Sequence, residues 1–300
     1  MFKKGILFTG CSYTWGGGLE WYAPYKIVDT LNTKFDVNSI NYALYNFICK
    51  NRFTRLVADY FGTWDTTRQG NGGSDDMSIH FIKQAFHLYD DDKINLSYSN
   101  IEKIQTYNSD EIEYVILQLT DPFRNNDIML DDKKISLNIA SVRLREHQKD
   151  KNKISNFKGF MSDEYFEVFY KFYSENFNSW EEMEVYFIKQ NLKLIKETFQ
   201  KLDELGIKTK IWSWHEEYLP YLFEDEYLSN KFMKLKYDNK EFDCLVHLFN
   251  YNPKFQISKS DYTRNGKKIN DDHSTIECHR IIADSIISYL ENDYTNEIVI

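Results

Sequence analysis

Three hundred residues with 42% hydrophobic and 17% aromatic content can bury a sizeable core, and only four prolines argue against long extended linkers. A formal net charge of −9 argues against a general nucleic-acid binder, which carries a basic face. The four cysteines (Cys11, Cys49, Cys244, Cys278) show neither CxxC nor Cys/His spacing, which argues against a structural zinc site and a disulfide framework.

Residues 3–9 predict a buried strand that stops at a glycine-studded turn, GCSYTWGGG, at 10–18. Its apolar run is too short for the core of a signal peptide. No stretch approaches the roughly 20 apolar residues that cross a bilayer, so a soluble, cytoplasmic protein without membrane contact is expected. Leu44, Phe47, Ile48, Phe53, Leu56, Val57 and Tyr60 recur near a 3.6 period and predict a helix from about Asn41 to Tyr60, closed by Gly62. Thr63–Gln69 predicts a second short strand, and the turn GNGGSDD follows at 70–76. Ser74 is a good N-cap, with Asp75 and Asp76 in the first turn of a helix running to about Tyr89.

YVILQLT, residues 114–120, is almost continuously apolar, as a central parallel strand covered on both faces should be. From Asp121 to Asn178 the pattern is irregular and charged, with an aromatic-rich helix candidate, DEYFEVFYKFYSENF. That segment reads as an insertion packing over the body. Ser179-x-x-Glu182 is a capping box opening the strongest helix, 180–205, with Trp180, Met183, Phe187, Ile195, Phe199 and Leu202 on one face and Gly206 as its stop. KTKIWSW (208–214) predicts a strand, FDCLVHLF (242–249) another, and Glu277–Leu290 a final helix. Helix-sized segments alternating with buried strands predict an α/β architecture, a parallel sheet with helices on both faces. One domain spanning 1–300, with the insertion at about 121–178, is expected.

Ligands of such sheets bind beyond the carboxyl ends of the strands. Three polar turns fall there: TGCSYT after the first strand, GNGGSDD after the second and LTDPFR after the third. A fourth polar cluster, NDDHSTIECH at 270–279, precedes the last helix. Ser12 is a candidate nucleophile, with Cys11 the competing thiol, and His273 a candidate base beside Asp271. Arg124 and Asn71 are candidates for substrate contact, Arg124 for an acidic or sugar group, although an ordinary surface arginine is the competing reading. Gly16-Gly17-Gly18 is not followed by Gly-Lys-Ser/Thr and does not match GxGxxG, so a nucleotide loop is not expected; a loop shaping the space beside Ser12 is. His80, His87 and His215 read as structural or surface residues.

In block order the chain resembles the SGNH (GDSL-like) hydrolase superfamily, particularly divergent phage and bacterial members. Gly10-Cys11-Ser12 matches the family's Gly-Asp-Ser turn, and Asn71-Gly72-Gly73-Ser74 is similar to its second block. Asp271-Asp272-His273, with His279 six positions later, fits the last block. The resemblance implies a three-layer α/β/α sandwich with a mostly parallel, flavodoxin-like sheet, here with a helical insertion. It implies Ser12 as nucleophile, His273 as base, Asp271 as the acid, and backbone N–H groups of Ser12 and Gly73 at the oxyanion. Thr120 stands where the family's third block carries an asparagine, so its hydroxyl is the candidate third donor. Losing such a donor costs on the order of 10²–10³ in rate.

The resemblance thus implies a serine esterase, without cofactor or metal, removing a small acetyl-like group from a carbohydrate or related small-molecule ester. The missing asparagine motivates an alternative, a catalytically weak or inactive member of the fold serving as a binding or structural protein. A composition rich in Lys, Asn, Ile, Phe and Tyr suggests an AT-rich genome such as some phages carry, and with it a virion-associated role. Neither the assembly state nor the choice between hydrolysis and transfer is legible in the sequence.

Overall fold

The structure, a computed structural model, describes residues 4–24, 42–68, 75–88, 105–124, 126–130, 133–137, 163–264 and 266–298. Its centre is a four-stranded, all-parallel sheet of β1 (Gly5–Thr9), β2 (Asp65–Arg68), β3 (Ile112–Leu119) and β4 (Lys208–Ser213), in the order β2-β1-β3-β4. Period-two alternation sorts their side chains to opposite faces. Leu7, Val115, Leu117, Leu119 and Ile211 face one side; Ile6, Phe8, Tyr114, Ile116 and Trp212 face the other. Each face meets its own helices, so the fold is α/β with helices on both sides of the sheet.

The first side is covered by α4 (Asp75–Ala85), α5 (Asp163–Asn176) and α6 (Trp180–Glu204), through Ile79, Ile82, Phe169, Phe172, Met183 and Phe199 among others. The second is covered by α3 (Phe53–Phe61), α7 (Leu245–Tyr251) and α8 (Ile276–Ile298), through Phe53, Val57, Leu248, Ile282 and Leu290. Ser179 caps α6 as its sequence predicts, accepting from the Glu182 N–H at 3.1 Å, while Glu182 reaches back to the Asn178 N–H at 2.8 Å. Among the described residues, no helix is long and apolar enough to cross a membrane.

Three local expectations need correction. The helix predicted from Asn41 to Tyr60 is two, α2 (Tyr42–Asn51) and α3, broken at Arg52, whose backbone is extended (φ −74°, ψ 149°). Arg52 is buried and its guanidinium bonds Asp65 Oδ2 of β2 at 3.0 Å. A tertiary ion pair therefore accompanies the break in a segment with no Gly or Pro to announce it. FDCLVHLF is not a strand: Lys240–Phe242 pairs with Leu235–Tyr237 in a short hairpin, and Leu245, Leu248 and Phe249 then form the buried stripe of α7. A short apolar run fits either period, and tertiary packing chose the helical one. Between residues 121 and 178, where an irregular stretch with one helix is expected, the chain forms both that helix, α5, and an antiparallel hairpin of Asn126–Leu130 with Lys133–Leu137.

The chain leaves β1 toward β2 on one side and then passes to β3 on the other, so the strand order reverses between β1 and β3. Crevices outside the carboxyl ends at such a reversal are where open α/β sheets bind ligands. Register brings Thr9 opposite Leu117 and Leu117 opposite Ile211, aligning the carboxyl ends of β1, β3 and β4.

Candidate active site

β1 ends at Thr9, and the chain turns through Gly10 and Cys11 into the single-turn helix α1 (Ser12–Trp15). Gly10 is required by crowding, not by an unusual φ. A Cβ there would lie 2.4 Å from Thr14 Oγ1 and 2.7 Å from Gln118 Cβ. Thr14 and Cys11 both donate to Gln118 Oε1 at the end of β3, which ties the turn to the neighbouring strand. Cys11 is wholly buried, and burial pushes its thiol up to about 11, so the thiolate needed for nucleophilic chemistry is disfavoured. Ser12 at the first helical position is 9% exposed.

The loop before α8 delivers the partners. Its backbone is held by the preceding segment: the Ile257 N–H donates to His273 O at 3.0 Å and the Ser258 N–H to Asp271 O at 2.7 Å. His273 Nε2 stands 2.7 Å from Ser12 Oγ, and its Nδ1 stands 2.6 Å from Asp271 Oδ1. The same Oδ1 accepts the His273 backbone N–H at 2.9 Å. Partial burial alone would raise the Asp271 pKa, but the hydrogen bonds from His273 and Trp21 outweigh it and hold the carboxyl at about 2. An ionised carboxylate only accepts, so Nδ1 carries the proton and, in the neutral ring, Nε2 offers its lone pair to the Ser12 hydroxyl.

The triple glycine packs against this imidazole. A Cβ on Gly17 would lie 2.9 Å from His273 Nε2, and one on Gly18 would lie 2.7 Å from His273 Cβ. Gly16 and Gly18 also hold φ of 99° and 88°, which L side chains rarely adopt. The N–H groups of Gly16 and Gly17 close α1 on Ser12 O at 3.0 and 2.7 Å. On its other side the ring meets Tyr13, centroid to centroid 4.9 Å, and the Tyr13 hydroxyl donates to Asp272 O at 3.0 Å.

Two further residues reach the site without any local signal in the sequence. The Trp21 indole N–H donates to Asp271 Oδ2 at 2.6 Å, so both carboxylate oxygens are engaged. Trp21 O in turn accepts from Arg264 Nη1 at 2.7 Å and from the Tyr262 hydroxyl. Neighbouring Glu20 is buried with Oε2 lacking a hydrogen-bond partner; burial pushes its pKa up to about 7, with Asp271 also raising it. Only the fold brings residues 20–21 beside residue 271.

Thr120, just past β3, is fully buried, and its N–H donates to Asp75 Oδ1 at 2.9 Å. Asp75 Oδ2 accepts from the Tyr218 hydroxyl at 2.7 Å, and Asn191 Nδ2 donates to that hydroxyl at 2.9 Å. Burial pushes Asp75 up to about 7 despite these bonds. Arg124 closes the turn after β3, its N–H donating to Asp121 O at 3.2 Å. Gly73 and Asn71 lie outside the described residues, as does the proposed cap Ser74. His279 stands apart from the site: it is buried in the second core against Phe53, with ring centroids 5.9 Å apart, and burial drives its pKa down to about 3.

No family model matches the chain, and no curated protein does. Solved structures give remote likenesses. A carbohydrate esterase whose active site displays divergent catalytic and non-catalytic binding functions has a TM-score of 0.39 and 12% identity, over 97% of this chain and 69% of that one. An acetyl xylan esterase from Butyrivibrio proteoclasticus has a TM-score of 0.42 and 11% identity, over 98% of this chain and 65% of that one. An active-site mutant of a family two carbohydrate esterase from Clostridium thermocellum has a TM-score of 0.39 and 11% identity, over 98% and 64%. The chain thus spans less than two thirds of the length of the last two.

Proposed function

We propose that the protein is a serine esterase of the SGNH type that removes a small acyl group from a carbohydrate or related ester. The observation that carries this reading is the hydrogen-bonded line Ser12–His273–Asp271 at the carboxyl end of a parallel sheet. Ser12 Oγ attacks the acyl carbon while its proton passes to His273 Nε2. The imidazolium so formed keeps its Nδ1–H on the Asp271 carboxylate. The tetrahedral intermediate expels the alcohol, which takes the proton from Nε2, and leaves the acyl group on Ser12. Water then attacks the acyl carbon while its proton passes to Nε2, and the second intermediate collapses with Ser12 Oγ leaving and taking that proton, which releases the acid and restores the free serine.

The oxyanion falls to the Ser12 N–H, a first-turn donor that no helical carbonyl takes, and to the Gly73 N–H. In this reading Thr120 serves Asp75 and not the oxyanion. The test is labelling by a fluorophosphonate probe and turnover of p-nitrophenyl acetate. Both are expected of the natural chain and lost in Ser12→Ala. A chain that neither labels nor turns over would overturn the esterase reading.

The second reading, a non-catalytic binding or structural module, is favoured by one observation: the fully buried Thr120 stands where the family's third block carries an asparagine, so the oxyanion lacks that amide donor. It predicts an unreactive Ser12 in a folded protein.

A further inference from the structure

An unbroken row of π systems runs from the imidazole to the rim of the site. Tyr13 lies 4.9 Å from His273, Trp214 lies 5.2 Å from Tyr13, and the Arg124 guanidinium carbon lies 5.3 Å from the centre of the Trp214 ring. The outer two members of the row are pinned. The Trp214 backbone N–H donates to Leu119 O at 3.0 Å, at the ends of β4 and β3. The turn that carries Arg124 is fixed by the Phe123 N–H on Asp121 Oδ1 at 2.9 Å and by the buried Phe123 ring. The cation is therefore held by the scaffold at the carboxyl end of the sheet.

The environment of this arginine differs from that of Arg52, Arg55 and Arg264. Arg52 and Arg55 are spent on Asp65 and Asp59, and Arg264 on backbone carbonyls. Among the described residues no carboxylate lies within ion-pair distance of Arg124. A guanidinium over an indole face keeps its in-plane N–H groups for an anion, and the aromatic face lowers the cost of withdrawing it from water. Its charge also acts on the serine turn, favouring the ionised form of the Cys11 thiol next to Ser12, against the much larger effect of burial.

Resting on the esterase reading for what the neighbouring site does, we propose that Arg124 and Trp214 form a subsite for a carboxylate carried by the substrate, so that the favoured esters are anionic. A planar carboxylate takes two parallel N–H bonds from the guanidinium, which a neutral amide of the same shape does not. In a chain of net charge −9, a fixed cation at the rim also offsets a field that would otherwise repel such a substrate.

The test separates binding from turnover. Calorimetry on Ser12→Ala protein compares 3- and 4-acetamidobenzoate, amide analogues of anionic acetyl esters, with the matching benzamides. The carboxylates are expected to bind about tenfold or more tightly than the amides, and the preference to shrink at high salt. With Arg124→Gln added the preference should fall to about twofold or less, and Arg124→Lys should retain part of it. Equal affinities on the Arg124-containing protein, a preference that survives Arg124→Gln, or no binding of either analogue at millimolar concentration would each overturn the subsite. Fluorophosphonate labelling of the natural chain reports separately on the esterase reading, so the two ideas can fail independently.

Discussion

Gly17→Ala is the sharpest probe of the site, because the contacts it alters are with the imidazole and the Ser12 carbonyl. The backbone of Gly17 is not in the left-handed region, so alanine meets no conformational penalty there. Its methyl would start 2.9 Å from His273 Nε2, 3.0 Å from Cδ2 and 3.1 Å from Ser12 O. Ordinary contacts between such atoms begin near 3.5 Å, so the ring must retreat by about 0.5 Å. Tyr13 and the Asp271 bond oppose that retreat, and the 2.7 Å bond to Ser12 is what gives way. Misplacement of a catalytic group by about 1 Å costs about 10²-fold, so a loss of about 10-fold or more in kcat on p-nitrophenyl acetate is expected. Thermal unfolding should hardly change, because the displaced ring is partly exposed and no core contact is lost. Gly206→Ala is the control: its Cβ meets nothing within 4 Å, but φ is +73°, so it should cost about 1 kcal/mol of stability and no activity. Full activity in Gly17→Ala, or a loss matched by Gly206→Ala, would refute the reasoning.

Trp21→Phe keeps an aromatic ring and removes the N–H from Asp271; kcat should fall about tenfold with KM within about twofold, as for a group that positions the acid without touching substrate. Steady-state kinetics decide, and an unchanged kcat would mean that Asp271 is held without Trp21. Thr120→Val should leave turnover within about threefold, since Thr120 is fully buried and valine keeps the N–H that holds Asp75, whereas a fall on the order of 10²–10³ would make its hydroxyl an oxyanion donor. Asp75 is protonated in the folded chain up to a pH of about 7 and ionises near 3.8 when unfolded. Between those values the folded state binds the extra proton, so ionising Asp75 erodes stability as pH rises. Asp75→Asn removes that dependence, and its stability relative to the natural chain should improve by about 1 kcal/mol per pH unit from about pH 4 to 7. Urea midpoints at pH 5 and pH 7 measure it, and a constant difference would show that Asp75 is ionised throughout.

The layered fold was legible because its signals are local. The continuous apolar character of YVILQL marked a strand covered on both faces, and the capping box at Ser179 marked the start of α6. The serine turn and the Asp-x-His loop were legible for a related reason: each is a short motif at an element boundary, where the chain's direction is set by a few residues. Sequence alone could not show that Ser12 and His273 stand 2.7 Å apart, because they are 261 positions apart along the chain.

Residues whose work is purely tertiary left no trace in the sequence. Trp21 reads as one aromatic among fifty, yet its N–H engages Asp271, and Gly17 reads as one of three glycines, yet its missing Cβ makes room for the imidazole. The break at Arg52 goes with a buried ion pair to β2, and the helical state of Leu245–Tyr251 with packing of Leu245, Leu248 and Phe249 in the second core. Periodicity and caps report forces between neighbours along the chain, and these determined the elements and their order. Packing and hydrogen bonds across hundreds of residues have no period, so the tertiary structure alone decided how the serine turn, the histidine loop and the glycine loop close on one another.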